Sequence, residues 1–179
     1  MTRLVVRDLR KRYGGIAALA GIALEIERPG IYGLIGPNGA GKTTLFDIIA
    51  GGIAPDSGEV LLDGRSVTGL PSHRMAALGV ARTFQECRIL LEETCLDNLL
   101  FAAQRKDFIA TLGQFLSRSQ AARRAQRAEA MRLLQLVRLE EYAEVPAANL
   151  SFGQRRLLEI VSTFITAPSV FLLDEPASG

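Results

Sequence analysis

The pattern of apolar and polar positions along the chain predicts short strands that alternate with helices. Ala23 to Glu27 alternates apolar with charged residues, which indicates a half-buried strand, and Leu4 to Val6 indicates another. Ile31 to Ile35 reads IYGLI, and an apolar run of this kind is typical of a strand covered on both faces in a parallel sheet. Val170 to Leu173 is a second such run. The pattern therefore predicts an α/β protein.

Helical patterns occupy much of the remaining chain. Thr43 to Ala50 has the apolar spacing of a helix and is followed by two glycines that end it, whereas Pro55 to Gly64 predicts a turn, a strand and a second turn. From about Asp97 to Glu144 the pattern is again helical. One apolar face in that region comprises Phe108, Leu112, Phe115 and Leu116. A mostly helical insert thus separates the two apolar strands.

Composition narrows the class of protein. With 179 residues, 48% of them hydrophobic and 22% charged, the chain has the size and balance of one soluble globular domain. Cys87 and Cys95 have no neighbouring ligand pattern, so neither a zinc site nor a disulfide framework is indicated. The N-terminal segment becomes charged before the apolar core of a signal peptide can develop, and no apolar run reaches the roughly 20 residues that span a bilayer. We therefore expect a cytoplasmic chain whose membrane role is peripheral.

The net charge of +2 does not indicate nucleic acid as a partner. Locally, one segment is strongly basic, because residues 118–138 contain a single acidic residue, Glu129, among six arginines. A solvated helix face explains this segment, and a surface for nucleic acid or lipid headgroups stays open as the alternative. The arginines are Arg118, Arg123, Arg124, Arg127, Arg132 and Arg138.

The first motif with clear chemistry is GPNGAGKTT at residues 36–44, named the phosphate loop from here on. It fits the pattern G-x-x-x-x-G-K-[ST] between a predicted strand and a predicted helix. Glycines let the backbone N–H groups turn toward phosphates, and the helix N-terminus adds positive potential. Lys42 is expected to reach the β- and γ-phosphates and Thr43 to bind Mg²⁺. The predicted nucleotide contacts are Gly36, Pro37, Asn38, Gly39, Ala40, Gly41, Lys42, Thr43 and Thr44.

Two carboxylates follow the apolar run Val170 to Leu173. Asp174 would lie at the carboxyl end of a central strand, where ligands of such sheets bind, and is predicted to hold Mg²⁺. Glu175 is predicted to polarise the water that attacks the γ-phosphate. A solvated turn is the alternative interpretation of these two residues.

The segment LSFGQ, Leu150 to Gln154, is a third motif, named the signature segment. Ser151 and Gln154 have the spacing of a capping box before a helix that carries Leu157, Leu158 and Val161. Taken alone, this spacing indicates a structural cap. It also creates a second helix N-terminus suited to an anion, about a hundred residues after the first.

Together, these motifs resemble the nucleotide-binding subunits of ABC transporters. The phosphate loop, Gln85 in RTFQ, the signature segment and the LLDEP strand occur in that family's order. The resemblance implies an ABC-type P-loop NTPase with a mostly parallel core sheet, an N-terminal antiparallel β subdomain and a helical subdomain. It places the β subdomain at residues 1–30 and 53–65, the core at 31–52 and 157–179, and the helical subdomain at about 90–150, all within one domain.

The same resemblance assigns roles to further residues. Tyr13 would stack on adenine, with a buried strand tyrosine as the alternative, and Gln85 would contact Mg²⁺ or the attacking water. Ser151, Gly153 and Gln154 would contact the γ-phosphate held by a second subunit packed head to tail. Phe152 departs from the glycine that is commoner in the family at this position.

A finer resemblance, carried by residues 69–85 and by LSFGQRRLLEI, is to the ATPases of importers for branched-chain amino acids and for urea or amides. It implies an ATP-hydrolysing subunit that binds permease subunits at the cytoplasmic face of the membrane. The family's switch histidine follows the LLDE strand, and His73 does not match its position, so we expect a C-terminally incomplete member. A non-transport ABC ATPase, or a nucleotide-binding remnant without turnover, remains as an alternative.

Overall fold

The computed structural model of the chain describes residues 3–83, 89–110 and 120–174, with only the backbone described for residues 104–110. The described chain divides into two compact units. Unit 1 comprises Met1–Arg82 and Ser169–Leu172, and unit 2 comprises Thr83–Pro168 and Leu173–Gly179. Each unit has its own apolar core.

Unit 1 contains an antiparallel sheet, which confirms the predicted N-terminal β subdomain. The strands lie in the order β2, β1, β3, β4. The longest pairing joins β1 to β2. Strand β3 pairs with the other side of β1 and falls within residues 55–64, where the sequence predicts a strand. The strands are β1 (Leu4–Tyr13), β2 (Ile16–Ile26), β3 (Ser57–Leu62) and β4 (Arg65–Ser66).

Two helices and a parallel strand pair complete unit 1. Helix α1 (Lys42–Ile49) agrees with the predicted helix and buries Leu45, Ile48 and Ile49 against the sheet residues of the core. Arg82 at the end of the pair's first strand forms an ion pair with Asp47 of α1. The other elements are α2 (Ser72–Ala77) and the parallel strands β5 (Val80–Arg82) and β6 (Val170–Leu172).

The prediction that Ile31 to Ile35 forms a buried strand is wrong. These residues belong to no strand, and the side chain of Ile35 is 94% exposed. An apolar run becomes a strand only where neighbouring strands pair with its backbone and cover its side chains. Among the described residues, no strand pairs with 31–35, because β5 and β6 pair with each other. An exposed apolar segment therefore leads directly into the phosphate loop.

Unit 2 is helical, as the sequence predicts. Helices α3 (Cys95–Ala110), α4 (Gln120–Leu136) and α5 (Phe152–Phe164) pack around Leu96, Leu99, Leu134 and Leu158. Two short 3₁₀ turns, Glu140–Tyr142 and Ala147–Asn149, connect α4 to α5. The predicted apolar face at Phe108, Leu112, Phe115 and Leu116 lies outside the side chains that the structure describes.

The basic segment forms the exposed part of α4. Arg127 pairs with Glu144 and Arg132 with Glu129, each at 2.7 Å, and Arg123 and Arg124 are exposed. These positions agree with the solvated helix face, while Arg118 lies outside the described residues. Over the ranges that the structure covers, no helix combines the length and apolar character needed to cross a bilayer.

Candidate nucleotide-binding site

The phosphate loop runs into α1 and packs against β2 at Gly41, within unit 1. The Lys42 ammonium donates hydrogen bonds to the carbonyl oxygens of Gly36 at 2.7 Å and Pro37 at 2.8 Å. Its side chain therefore folds back over the loop, where phosphate oxygens would compete for the same donors. Residue 41 at the N-cap of α1 is a glycine, so no capping side chain occupies the helix N-terminus. The first N–H groups of α1 remain available to an anion.

Two loop glycines adopt the left-handed backbone conformation, with φ of 82° at Gly39 and 83° at Gly41. Their surroundings differ. A Cβ atom built on Gly41 would lie 2.4 Å from the Ala18 carbonyl oxygen and 2.8 Å from Leu19 Cδ2, both on β2. A Cβ atom on Gly39 would meet nothing within 4 Å. Close packing of β2 on the loop thus requires glycine at position 41.

This difference gives a matched pair of variants. Gly39→Ala should lower the free energy of unfolding by about 1–2 kcal/mol, because alanine is strained in the left-handed region. Gly41→Ala should lower it by about 2–5 kcal/mol, because the methyl group also collides with β2. Urea denaturation followed by circular dichroism measures both values. Equal losses in the two variants would contradict the packing of β2 against the loop.

Tyr13 lies at the end of β1 and faces outward. It pairs across the β1–β2 hairpin with Ile16, and the two side chains are 50% and 74% exposed. The Lys11 ammonium lies 5.8 Å from the centre of the Tyr13 ring. The alternative of a buried strand tyrosine does not fit this exposure. An exposed ring next to an exposed isoleucine offers a flat apolar surface on which a base can stack.

The signature segment forms the predicted capping box at the start of α5. The Gln154 N–H donates to the Ser151 hydroxyl at 3.3 Å, and the Ser151 N–H donates to the Gln154 side chain at 2.8 Å. Arg155 Nε donates to the carbonyl oxygen of Leu150 at 2.9 Å and supports the segment from behind. Ser151, Phe152 and Gly153 are exposed. Because the cap uses the hydroxyl as an acceptor, its proton remains free to be donated.

Asp174 is buried in unit 2 and is held through its backbone. Its N–H donates to the Thr83 hydroxyl at 3.3 Å, and its carbonyl oxygen accepts from Arg156 Nη2 at 3.0 Å. Arg156 Nη1 in turn donates to Glu159 Oε2 at 2.6 Å. Thr83, Arg156, Glu159 and Asp174 are all buried. The alternative of a solvated turn at Asp174 is therefore wrong.

Sequence analysis did not single out Thr83, Arg156 or Glu159. The available signal was the pair of opposite charges on α5, three residues apart and separated by Leu157 and Leu158. Opposite charges at this spacing are common on exposed helix faces, but here both side chains are buried and form a buried ion pair.

The donors proposed for Mg²⁺ have suitable chemistry. Thr43 and Asp174 supply oxygen atoms, which Mg²⁺ prefers, and Mg²⁺ ordinarily takes one or two protein ligands beside substrate phosphates. Within the described residues, no group of three or more His, Cys, Asp or Glu side chains forms a separate metal site. Gln85 and Glu175 lie outside the described residues, so their assigned roles stay predictions.

A glycine loop with a lysine at a helix N-terminus, together with an aspartate just after an apolar strand, defines a P-loop nucleotide-binding protein. The ABC transporter family model matches residues 19–178. The chain therefore belongs to the ABC transporter family, and it is an ATP-binding cassette of the kind that hydrolyses ATP to power a transporter.

Similar proteins and structures agree with this family. The chain is 42% identical to the high-affinity branched-chain amino acid transport ATP-binding protein BraF of Pseudomonas aeruginosa, over 98% of this chain and 70% of BraF. It is 40% identical to LivG, the corresponding protein of Escherichia coli K12, with the same coverage. The ADP conformation of the cassette MJ1267 superposes with a TM-score of 0.82 and 28% identity, over 100% of this chain and 70% of that one. A nucleotide-free cassette gives a TM-score of 0.80 at 27% identity, over 100% of this chain and 71% of that one.

Proposed function

We propose that this chain powers an importer for branched-chain amino acids or related amides. In this proposal two cassettes pack head to tail at the cytoplasmic face of the membrane and bind permease subunits. The solute rests on the names of relatives that are 40% to 42% identical, BraF and LivG. The observation that supports nucleotide binding is the position of the Lys42 ammonium, which donates hydrogen bonds to two carbonyl oxygens of the phosphate loop.

The phosphate loop binds the nucleotide of its own subunit. Lys42 exchanges the carbonyl oxygens of Gly36 and Pro37 for phosphate oxygens, which are better partners because they carry charge. The N–H groups at the start of α1 bind the phosphates further, and Tyr13 with Ile16 stacks on the base. These contacts orient the triphosphate for attack.

The signature segment of one subunit contacts the γ-phosphate of the nucleotide that the other subunit binds. It presents the Ser151 hydroxyl proton and the N–H groups of Phe152 and Gly153 at the N-terminus of α5, and each of these is a donor. A Cβ atom built on Gly153 would meet nothing within 4 Å, so an anion can approach the backbone there. Several donors at one helix N-terminus suit a terminal phosphate that carries negative charge.

Hydrolysis then needs a water molecule that is oriented and activated. Glu175 accepts its proton, and Gln85 contacts the water or Mg²⁺. Thr43 and Asp174, the residues to which the sequence assigns Mg²⁺, would hold the ion, which would neutralise charge on the phosphates. Most of the rate acceleration comes from positioning and electrostatic stabilisation.

Two substitutions of Ser151 separate its cap from its proposed contact with phosphate. Ser151→Asp keeps an N-cap acceptor, so the free energy of unfolding should stay close to that of the wild type. Its carboxylate repels the γ-phosphate, and ATP-dependent dimer formation should be lost in size-exclusion chromatography. Ser151→Ala should cost about 1 kcal/mol of stability and weaken the dimer less. Normal dimer formation by Ser151→Asp would refute the contact across subunits.

The transported solute is tested in the assembled transporter. Proteoliposomes that contain the cassette and its permease subunits should take up radiolabelled leucine when ATP is supplied on the cassette side. A matched preparation with Lys42→Ala should give no ATP-dependent uptake. Co-purification with nucleic acid in place of permease would identify a non-transport ATPase. ATP binding without phosphate release would identify a cassette that does not turn over.

A further inference from the structure

The backbone of Asp174 is held on both sides by other parts of unit 2. Thr83 accepts the Asp174 N–H at 3.3 Å, and Arg156 Nη2 donates to the Asp174 carbonyl oxygen at 3.0 Å. That carbonyl belongs to the peptide bond between Asp174 and Glu175. Arg156 therefore forms a hydrogen bond to the peptide group that joins Asp174, the proposed Mg²⁺ ligand, to Glu175, the proposed catalytic carboxylate.

The guanidinium that makes this contact is part of a buried ion pair. The side chains of Arg156 and Glu159, named the buried pair, are 9% and 6% exposed, and their charged atoms lie 2.6 Å apart. Removing two charges from water is costly, and apolar residues of similar volume often replace such a pair without loss of stability. Stability alone therefore does not account for the buried pair, whereas a fixed hydrogen bond to the Asp174 peptide does.

Helix α5 connects this contact to the signature segment. Ser151 caps the helix and Arg156 lies five residues further along the same helix, which spans Phe152–Phe164. An α-helix is stiff over so short a distance, so a shift or rotation of its N-terminus also moves the guanidinium. The Asp174 peptide group then moves with the guanidinium, because charged Arg156 donates a hydrogen bond to its carbonyl oxygen within unit 2.

We propose that Arg156 is a positioning residue that links the signature segment to the Asp174 backbone of the same chain. Binding of the partner subunit's nucleotide at Ser151 moves α5, and Arg156 transmits this movement to Asp174, the proposed Mg²⁺ ligand. The two nucleotides of the dimer are thereby coupled through each subunit. This inference rests on the proposed function, in which Ser151 contacts nucleotide held by a second copy.

The test replaces the buried pair as a whole, because loss of one partner would leave a buried charge and destabilise unit 2. The double variant Arg156→Met/Glu159→Leu is expected to fold with a melting temperature close to that of the wild type. The matched control is Glu129→Leu/Arg132→Met on α4, which removes a pair of the same spacing whose side chains are 46% and 61% exposed. Both variants are assayed in the transporter assembled with its permease subunits.

The kinetic expectation separates positioning from structural support. In the double variant, kcat for ATP hydrolysis should fall about ten- to a hundredfold, as misplacement of reacting groups does, while the KM for ATP and the ATP affinity of the isolated cassette stay unchanged. The control variant should keep the wild-type kcat. An unchanged kcat in the folded double variant would overturn the inference, as would loss of kcat together with loss of ATP affinity.

A mutant cycle with Ser151→Ala tests the link itself. If Arg156 transmits the contact made at Ser151, removing both should lower kcat by much less than the product of the two separate effects. Independent, multiplying effects would overturn the link. Ser151→Ala also distinguishes this failure from failure of the proposed function. If Ser151→Ala alone leaves turnover and dimer formation unchanged, the contact across subunits is absent. If Ser151→Ala lowers turnover but the double variant does not, only the role of Arg156 is refuted.

Discussion

Replacing Lys42 with alanine should weaken Mg-ATP binding about ten- to a hundredfold. Lys42 supplies a charged donor to the phosphates, and hydrogen bonds to charged groups contribute roughly 1.5–3 kcal/mol, which corresponds to this range of affinity. Isothermal titration calorimetry with Mg-ATP measures the change. Among the described residues, the ammonium bonds main-chain oxygens of the loop, at 2.7 and 2.8 Å, so the variant should keep the wild-type circular dichroism spectrum.

Arg65→Ala is the control for the loss of one positive charge from unit 1. Arg65 is an exposed residue of the two-residue strand β4, and its removal should leave ATP affinity within error of the wild-type value. Equal losses of affinity in Lys42→Ala and Arg65→Ala would indicate a general electrostatic effect. An unchanged affinity in Lys42→Ala would refute the assignment of the phosphate loop as the ATP-binding site.

Glu175→Gln should lower ATP turnover about a hundred- to ten-thousandfold while ATP still binds. Glutamine keeps the shape of the side chain but is a far weaker base than the carboxylate, and general base catalysis contributes about this factor. Because hydrolysis no longer separates the subunits, the variant should accumulate as an ATP-bound dimer. Single-turnover phosphate release and light scattering measure these two effects.

Glu141→Gln provides the comparison for Glu175→Gln. Glu141 is an exposed carboxylate in the 3₁₀ turn Glu140–Tyr142, and its replacement also removes one negative charge from unit 2. It should retain wild-type turnover. Turnover by Glu175→Gln at the level of Glu141→Gln would refute the assignment of Glu175 as the base.

Local chemistry explains which features could be predicted from the sequence. The capping box needs only residues that are three apart, so the spacing of Ser151 and Gln154 was sufficient. The same holds for the start of α1, where a glycine precedes Lys42, and for the antiparallel strands with their alternating pattern. Each of these features depends on interactions within a few residues or within one hairpin.

Features that depend on distant partners could not be predicted in this way. The run Ile31 to Ile35 has the composition of a buried strand, yet strand formation requires neighbours that pair with it. Strand β5, Val80–Arg82, is too short to show a pattern and exists through its pairing with β6. In both cases the deciding interaction joins residues far apart in the chain.

The buried pair illustrates the same limit for the site. Glu129 with Arg132, and Arg156 with Glu159, are both opposite charges three residues apart on helices. The first is exposed and the second is buried against the Asp174 backbone. Spacing cannot distinguish them, because burial is decided by the elements that pack around α5. The position of Tyr13 was likewise open until its exposure at the hairpin was known.

The central claim is that backbone N–H groups near Lys42 bind a nucleoside triphosphate, and that Ser151 of a second copy donates a hydrogen bond to its terminal phosphate. The most direct measurement is a structure of Glu175→Gln with Mg-ATP bound. We predict that the Ser151 hydroxyl of one subunit lies at hydrogen-bond distance, about 2.5–3.0 Å, from a γ-phosphate oxygen of the nucleotide that the other subunit's Lys42 contacts. A bound nucleotide with Ser151 remote from every phosphate would contradict the claim.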